Sequence, residues 1–347
     1  MSFSIKRSVW RAIRSVGKPA LEPLEAQLEA IREQAAQQAA QQAESLRSQF
    51  ESERIQIESL RAEISVLQKR EDEILAVLNS VQKRRLPIGP DEYARLNPEV
   101  GLAAYLYSYL PCRVALDIGA NIGDHSERFL QAGYCVYAFE PMPPVFEKLK
   151  TRLGSRADFH AAQYALGSED RTMKLHLAAD HSGGKYDDST LYSSLLPHTM
   201  LNDLVFEKSV EVPVRSLDSL HRAGEIPAEV GFVKIDTEGY ELPVMKGFGA
   251  RKYSVVLAEF WDAKFPFSDE TTCNRLDDMA AEMRAQGYHW FLTFYRAGSS
   301  TDVTFFCNDP RSPENSWGNV CFFQDFSIFE RARDWCTACL PEAIARP

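Results

Sequence analysis

The chain has 347 residues, 45% hydrophobic and 25% charged, and a formal net charge of −10. This is an ordinary composition for a globular protein, with room for one large domain plus an extension. The acidic balance argues against nucleic acid as a partner, because phosphate contacts dominate such binding, and no run approaches the roughly 18 apolar residues of a membrane span.

The first 20 residues carry Lys6, Arg7, Arg11, Arg14 and Lys18 without an acid, so they hold +5 and the rest of the chain −15. Within residues 4–17, Ile5, Val9, Ile13 and Val16 fall on one stripe at helical spacing, with Trp10 beside it. Such a basic amphipathic helix suits an anionic membrane interface; a solvated basic tail is the competing reading. The N-terminus lacks the apolar core and cleavage site of a secretory signal. Seven scattered cysteines suit reduced thiols. A cytoplasmic location is therefore expected, with peripheral contact at the inner face of the membrane if residues 4–17 bind there. Cys336 and Cys339 stand three apart with no second pair, which reads as helix-face packing ahead of metal binding.

From residue 21 to about 85 the character changes. Glycine is absent up to Lys83, proline occurs only at Pro23, and Ala, Gln, Glu, Arg and Leu dominate. Leu21, Leu24, Leu28 and Ile31 begin a 3-4 repeat, which resumes out of phase after an Ala/Gln-rich stretch. Phe50, Ile57, Ile64 and Leu78 then occupy a positions, with Leu46, Leu60, Leu67, Ile74 and Val81 at d. Sustained heptads predict a long α-helical coiled coil, and Ile at a with Leu at d favours a parallel homodimer. Glu53 and Glu71 interrupt the seam, and Arg70 can offset Glu71. Leu86-Pro-Ile-Gly-Pro90 ends the rod, and residues 86–112 form a linker with one or two short lead-in helices.

Residues 113–330 read as an α/β domain: strand 114–118, helix 124–131, strand 134–139, helix 143–152 and strand 158–163 alternate, which implies a doubly wound parallel sheet. Two added β-rich stretches, Thr172–Ala178 and Val210–Ser216, flank a polar loop at about 180–197. Strand 230–236, a helix from Tyr240, strand 253–260, helix 270–286 and two closing strands near 289–296 and 319–324 complete seven strands. Residues 331–347 form a C-terminal helix or tail.

Two segments carry the chemistry. In Val114–Gly123 an apolar strand ends in Asp117 and breaks into the turn Gly119-Ala120-Asn121-Ile122-Gly123; a second strand ends at Phe139-Glu140-Pro141. This is how an open sheet builds a nucleoside pocket, with the second carboxylate accepting ribose hydroxyls. The turn lacks the spacing that cradles a pyrophosphate, and an acid in place of the first glycine suits a cationic ligand, which points to S-adenosylmethionine. The second segment is Phe232-Val-Lys-Ile-Asp-Thr-Glu-Gly-Tyr-Glu241. Asp236 ends a strand at the edge where ligands of open α/β sheets bind, and Glu259 ends the next. Capping of the following helix accounts for part of this acidity, but not for Asp236, Glu238 and Glu259 converging on one pocket.

The chain here resembles the FkbM-like S-adenosylmethionine-dependent methyltransferases. The resemblance rests on Leu116–Gly123, Phe139-Glu-Pro141, Ala165-Leu-Gly167, Ser216-Leu-Asp218 and above all Val233–Glu241 with Lys246-Gly247. It covers roughly residues 100–326 and implies a class I, Rossmann-like methyltransferase fold. It further implies that Asp117, Gly119, Asn121 and Gly123 line the methionine side of the cofactor, that Glu140 holds the ribose, and that Ala165 and Leu166 border the adenine. Ala120 and Pro141 join the cofactor set. Members of this kind act mainly as O-methyltransferases on sugars or secondary metabolites.

A sugar hydroxyl is weakly acidic, so a base or metal should assist it. Asp236 or Glu238 is the expected general base, with Lys234 tuning the local charge; the alternative is Mg²⁺ on Asp236 and Glu259. His181, His198, Tyr186 and Tyr192 flank the polar loop and could reach an acceptor. The pocket walls are expected from residues 180–197 and 297–317. The leading reading is an O-methyltransferase for a cell-surface glycan or glycolipid. The alternatives are one acting on a soluble metabolite, and a coiled-coil scaffold whose methyltransferase-like domain is not catalytic.

Overall fold

The computed structural model describes residues 18–82, 96–183, 189–198, 203–297 and 302–340. The basic segment 4–17, the Leu86–Pro90 terminator, Tyr186 and the tail 341–347 lie outside the described residues. The chain divides into two compact units with the boundary between Val81 and Gln82.

The first unit is a single helix, α1 (Lys18–Gln82), of 65 residues. Its Ala, Gln, Glu, Arg and Leu content supplies strong helix formers throughout, and Pro23 falls near its start. At ~1.5 Å per residue it extends on the order of 100 Å. Arg54 pairs with Glu51 at 3.2 Å and with Glu58 at 3.7 Å, exposed contacts that add only a few tenths of a kcal/mol each, roughly. Leu28, Ile31, Leu46, Phe50, Ile57, Leu60 and Ile64 are each between 51% and 68% exposed.

The second unit opens with α2 (Pro98–Leu106) and builds an eight-stranded sheet from β1 (Val114–Ile118), β2 (Cys135–Phe139), β3 (Phe159–Ala162), β7 (Phe232–Ile235), β8 (Val255–Trp261), β9 (Trp290–Ala297), β10 (Thr304–Cys307) and β11 (Ser316–Phe323). The spatial order is β10-β9-β11-β8-β7-β1-β2-β3. The five strands from β3 to β8 are parallel, and β11 runs antiparallel between β8 and β9. These are the seven strands expected from the alternation, in the order of a class I methyltransferase sheet. Strand β10 is an eighth, paired only with β9 at the edge; its four residues are too few to declare a period.

Alternation along the central strands divides two cores. Leu116, Ile118, Val233, Ile235, Val256 and Ala258 face one layer; Ala115, Phe232, Val255 and Leu257 face the other. Helices α3 (Asp124–Ala132), α4 (Pro143–Leu153), α5 (Leu217–Ala223), α6 (Glu241–Lys246), α7 (Leu276–Ala285) and α8 (Phe326–Cys339) supply the covering residues. Cys336 is fully buried in the second layer, a packing role on α8. The expected hairpin-like pair is longer than its apolar cores: β5 (Arg171–Asp180) lies antiparallel to β6 (Leu204–Arg215), and the two-residue β4 (Ala165–Leu166) adds to β6 in parallel.

The turn after β1 is held against its neighbours by backbone contacts. The Gly119 and Ala120 N–H groups both donate to Phe139 O at 3.0 Å, and Asp236 N–H donates to Ile118 O at 3.0 Å. Gly119 has φ +76, and a Cβ there would stand 1.8 Å from Asp236 O. Both the conformation and the close approach demand glycine. Gly119→Ala is expected to destabilise the domain by more than about 2 kcal/mol in a denaturant titration, the sum of a strained φ and a forced backbone shift; a loss within error would show that the turn adapts.

Candidate active site

Strand register decides which side chains meet. Asp117 lies opposite Lys234 across β1 and β7, and Ile235 lies opposite Ala258 across β7 and β8. Asp236, one residue beyond β7, and Glu259, the fifth residue of β8, therefore lie side by side toward the same carboxyl edge. Lys234 is 4% exposed. Its Nζ stands 3.2 Å from Asp117 Oδ1 and 3.3 Å from Asp236 Oδ2, and donates to Gly119 O at 3.2 Å. Asp117 Oδ2 accepts from Ser126 Oγ at 2.6 Å.

A cavity of about 240 Å³ opens at this edge. Gly119, Ala120 and Asn121 of the first turn form one side. Glu140, Pro141 and Met142 follow from the end of β2, Ala165 and Leu166 from β4, and Lys234, Asp236 and Glu238 close the far side. Asp117 and Gly123, expected beside the cofactor's methionine, are not in the wall. Asp117 is fully buried behind it, its charge committed to Lys234. Gly123 (φ +91) faces α4, where a Cβ would meet Leu149 Cδ1 at 2.6 Å; it serves helix packing.

Glu140 lines the cavity at the end of β2. Its Oε2 accepts from Asn121 N–H at 3.0 Å and its Oε1 from Met142 N–H at 2.8 Å. Each oxygen keeps a second lone pair, which fits the two hydroxyls of a ribose at the end of β2. Burial raises its pKa to about 7, against the opposing pull of those two backbone donors.

The chemical end is unusually acidic. Glu238 has φ +54, a conformation that costs about 1 kcal/mol or more for a non-glycine residue. Ser194 Oγ donates to its carbonyl at 2.6 Å, and the bend turns its side chain into the cavity wall. Burial, then the nearby Asp236 and Glu241 charges, hold the Glu238 carboxyl well above the usual range. Glu259 is raised for the same kind of reason, burial first and then Glu238 and Asp236; it stands just outside the cavity wall.

Two residues enter that sequence reasoning did not assign to the site. His125, in the first turn of α3, lines the cavity. Burial, then the Lys234 charge, push its pKa down to about 3, so its imidazole is neutral. Its place two residues after Gly123 was the available signal. The other is Glu241, fully buried. Its Oε1 accepts from Thr237 N–H at 2.6 Å and from Thr237 Oγ1 at 2.9 Å.

Of the polar loop, Thr190, Leu191, Ser193 and Leu195 form part of the wall. Among the described residues of 297–317 none does. His181 pairs with Glu207 at an exposed edge. His198 is buried against Phe206, Trp261 and Phe267 at 5.3, 5.3 and 6.3 Å between ring centroids. Tyr192 packs on Phe267 at 5.7 Å. None of the three lines the cavity.

A ribose-type carboxylate, a Gly-rich turn and an acidic edge on this strand order define a class I methyltransferase domain. Residues 117–290 match the methyltransferase FkbM domain, and the chain belongs to that family. It is 31% identical over 136 residues to the hexuronic acid methyltransferase AglP of Haloferax volcanii, a match covering 39% of this chain and 49% of that protein. It is 28% identical over 176 residues to Methyltransferase 1 of Beauveria bassiana, covering 45% of this chain and 68% of that protein. The chain thus spans about half the length of the first relative. Among solved structures, precorrin-6y C5,15-methyltransferase from Geobacter metallireducens aligns over 69% of this chain and 91% of its own, at 11% identity and a TM-score of 0.34.

The raised Glu140 pKa has a consequence for the ligand-free protein. In the unfolded chain this carboxyl titrates near 4.5, and in the folded domain near 7. The folded state holds the proton longer, so the associated stability is present below pH 4.5 and is lost as pH rises through 7. The loss amounts to roughly 3 kcal/mol. The depressed carboxyls Asp158, Asp170 and Asp325 titrate below this window. Glu241, also raised to about 7, acts in the same direction, and His125, lowered to about 3, opposes both below pH 6.5. Denaturant titrations from pH 4.5 to 8 are expected to show a smaller loss of stability with rising pH in Glu140→Gln than in the parent, and identical profiles would contradict this origin.

Proposed function

We propose that the protein is an S-adenosylmethionine-dependent O-methyltransferase acting on a sugar hydroxyl of a cell-surface glycan or glycolipid. The observation that carries the reading is one cavity bounded by Glu140 at one end and by Asp236 and Glu238 at the other. The likeness to a hexuronic acid methyltransferase supports a sugar acceptor.

S-adenosylmethionine, when bound, supplies an electrophilic methyl carbon on a sulfonium. Glu140 would accept the ribose hydroxyls, Ala165 and Leu166 would border the base, and the acidic far wall favours the cationic end. Glu238, bent into the wall beside Asp236, is positioned to take the proton of an acceptor hydroxyl as that oxygen becomes the nucleophile. The chain's main contribution is orientation: residues on four separate loops hold both partners in one small space, where alignment supplies much of the acceleration. Lys234 fixes Asp236 and limits the repulsion between the carboxylates.

In this reading the exposed stripe of α1 pairs two copies of the chain, and residues 4–17 add contact with an anionic membrane surface. Light scattering of the full chain should give twice its 39.2 kDa mass. Ile57→Asn with Ile64→Asn should return it to one chain mass; a monomeric parent would remove the pairing.

Glu238→Gln should lower kcat by about 100-fold or more at saturating cofactor. Mass spectrometry of surface glycans from cells with and without the gene should show the loss of one methylene mass from a sugar. Unaltered glycans would exclude the glycan acceptor.

A further inference from the structure

Asp236, Glu241 and Glu259 each place a carboxylate oxygen within 4.8 Å of the others. No other such group of histidine, cysteine or acidic side chains occurs among the described residues. The three come from the end of β7, the first residue of α6 and the middle of β8, so the fold, and not a run of acidic sequence, brings them together. Glu241 is fully buried, and its Oε2, like that of Glu259, has no hydrogen-bond partner. The other Glu241 oxygen is taken up by Thr237 in the turn before α6. A buried carboxylate oxygen without a partner is costly, and two of them on members of one acidic cluster mark a place for a cation. The nearby ammonium, Lys234, is already shared between Asp117 and Asp236.

We infer that Asp236, Glu241 and Glu259 form a divalent-cation site for a hard ion of the Mg²⁺ or Mn²⁺ class. Three carboxylate oxygens and no nitrogen or sulfur donor match that preference. Around an octahedral ion with ~2.1 Å bonds, neighbouring oxygens lie ~3 Å apart and opposite ones ~4.2 Å. The three oxygens, within 4.8 Å of one another, stand close to these separations. Asp236 lines the cavity whereas Glu241 and Glu259 do not, so the open coordination positions face the acceptor side. There the ion would polarise the acceptor oxygen while Glu238, outside the ligand set, takes its proton. This role rests on the methyl-transfer reading; binding of the ion does not.

The site is tested on the full chain without cofactor or acceptor. Tb³⁺ should bind with saturable luminescence sensitised by Trp261, which neighbours Glu259, and Mg²⁺ and Mn²⁺ should displace it. Glu241→Gln and Glu259→Gln should each weaken binding by about ten-fold or more, with S-adenosylmethionine affinity retained as proof of folding. The exposed pair Asp277→Asn with Asp278→Asn should leave it unchanged. Absence of saturable Tb³⁺ binding in the parent, or equal weakening by the Asp277/Asp278 variant, overturns the site. Should a buried variant fail to fold, Mg²⁺-induced thermal stabilisation of the parent decides alone: a rise supports the site and no change rejects it. Ion binding without methyl transfer would separate this inference from the proposed activity.

Discussion

The buried ammonium of Lys234 is the contact on which the site depends. Its charge would be expensive to desolvate alone, and three oxygens offset the cost: Asp117, Asp236 and the Gly119 carbonyl. These belong to the end of β1, the end of β7 and the turn between β1 and α3. One side chain thus ties the cofactor turn to the acidic edge. Asp117 has no solvent to fall back on, so the pairing is obligatory in both directions: removing either partner strands the other charge in the core.

The same economy governs the turn itself. Gly119 lets the backbone pass against Asp236 O, and Glu140 clamps the far side through Asn121 N–H. Glu140 is therefore a structural residue of the site: its two backbone hydrogen bonds fix the loop at the cavity wall. Glu238 follows a similar logic. Its left-handed backbone is tolerated because Ser194 holds the carbonyl and Gly239 continues the bend, and the result is a carboxylate directed inward from a strand end.

Much of this was legible in the sequence. The alternation of short apolar strands with helices specified the sheet, and carboxylates at strand ends specified the edge that matters. Depth was not legible. Asp117 reads as a ligand-facing acid because it precedes a glycine turn, yet register sets it opposite Lys234 and buries it. Glu241 reads as an acid in a helix's first turn, and one of its oxygens holds Thr237 in the turn before α6; only the approach of β8 brings it close to Glu259. His125 was missed because a helix-start histidine carries no periodic signal, and β10 because an edge strand of four residues cannot establish one. Heptad spacing was explicit along α1, and the segment is one long helix.

The charge balance at the far wall constrains what the cavity can hold. Asp236, Glu238, Glu241 and Glu259 cluster around one ammonium that Asp117 already partly neutralises, and burial with mutual repulsion holds Glu238, Glu241 and Glu259 toward their protonated forms until a cation enters. Such a wall favours a positively charged ligand over a neutral one of the same shape, so it would hold a sulfonium cofactor more tightly than its demethylated product. That bias helps release the product but works against the reaction in another respect, because an acceptor oxygen losing its proton there would meet four carboxylates. A group that accepts the proton raises the local burden no further, since it becomes neutral as the oxygen gains charge. A cation shared by the deeper carboxylates removes the remaining repulsion. The acidic edge is consistent with O-methylation only if both conditions are met together, which is why the buried, partnerless oxygens of Glu241 and Glu259 bear on the chemistry as well as on the fold.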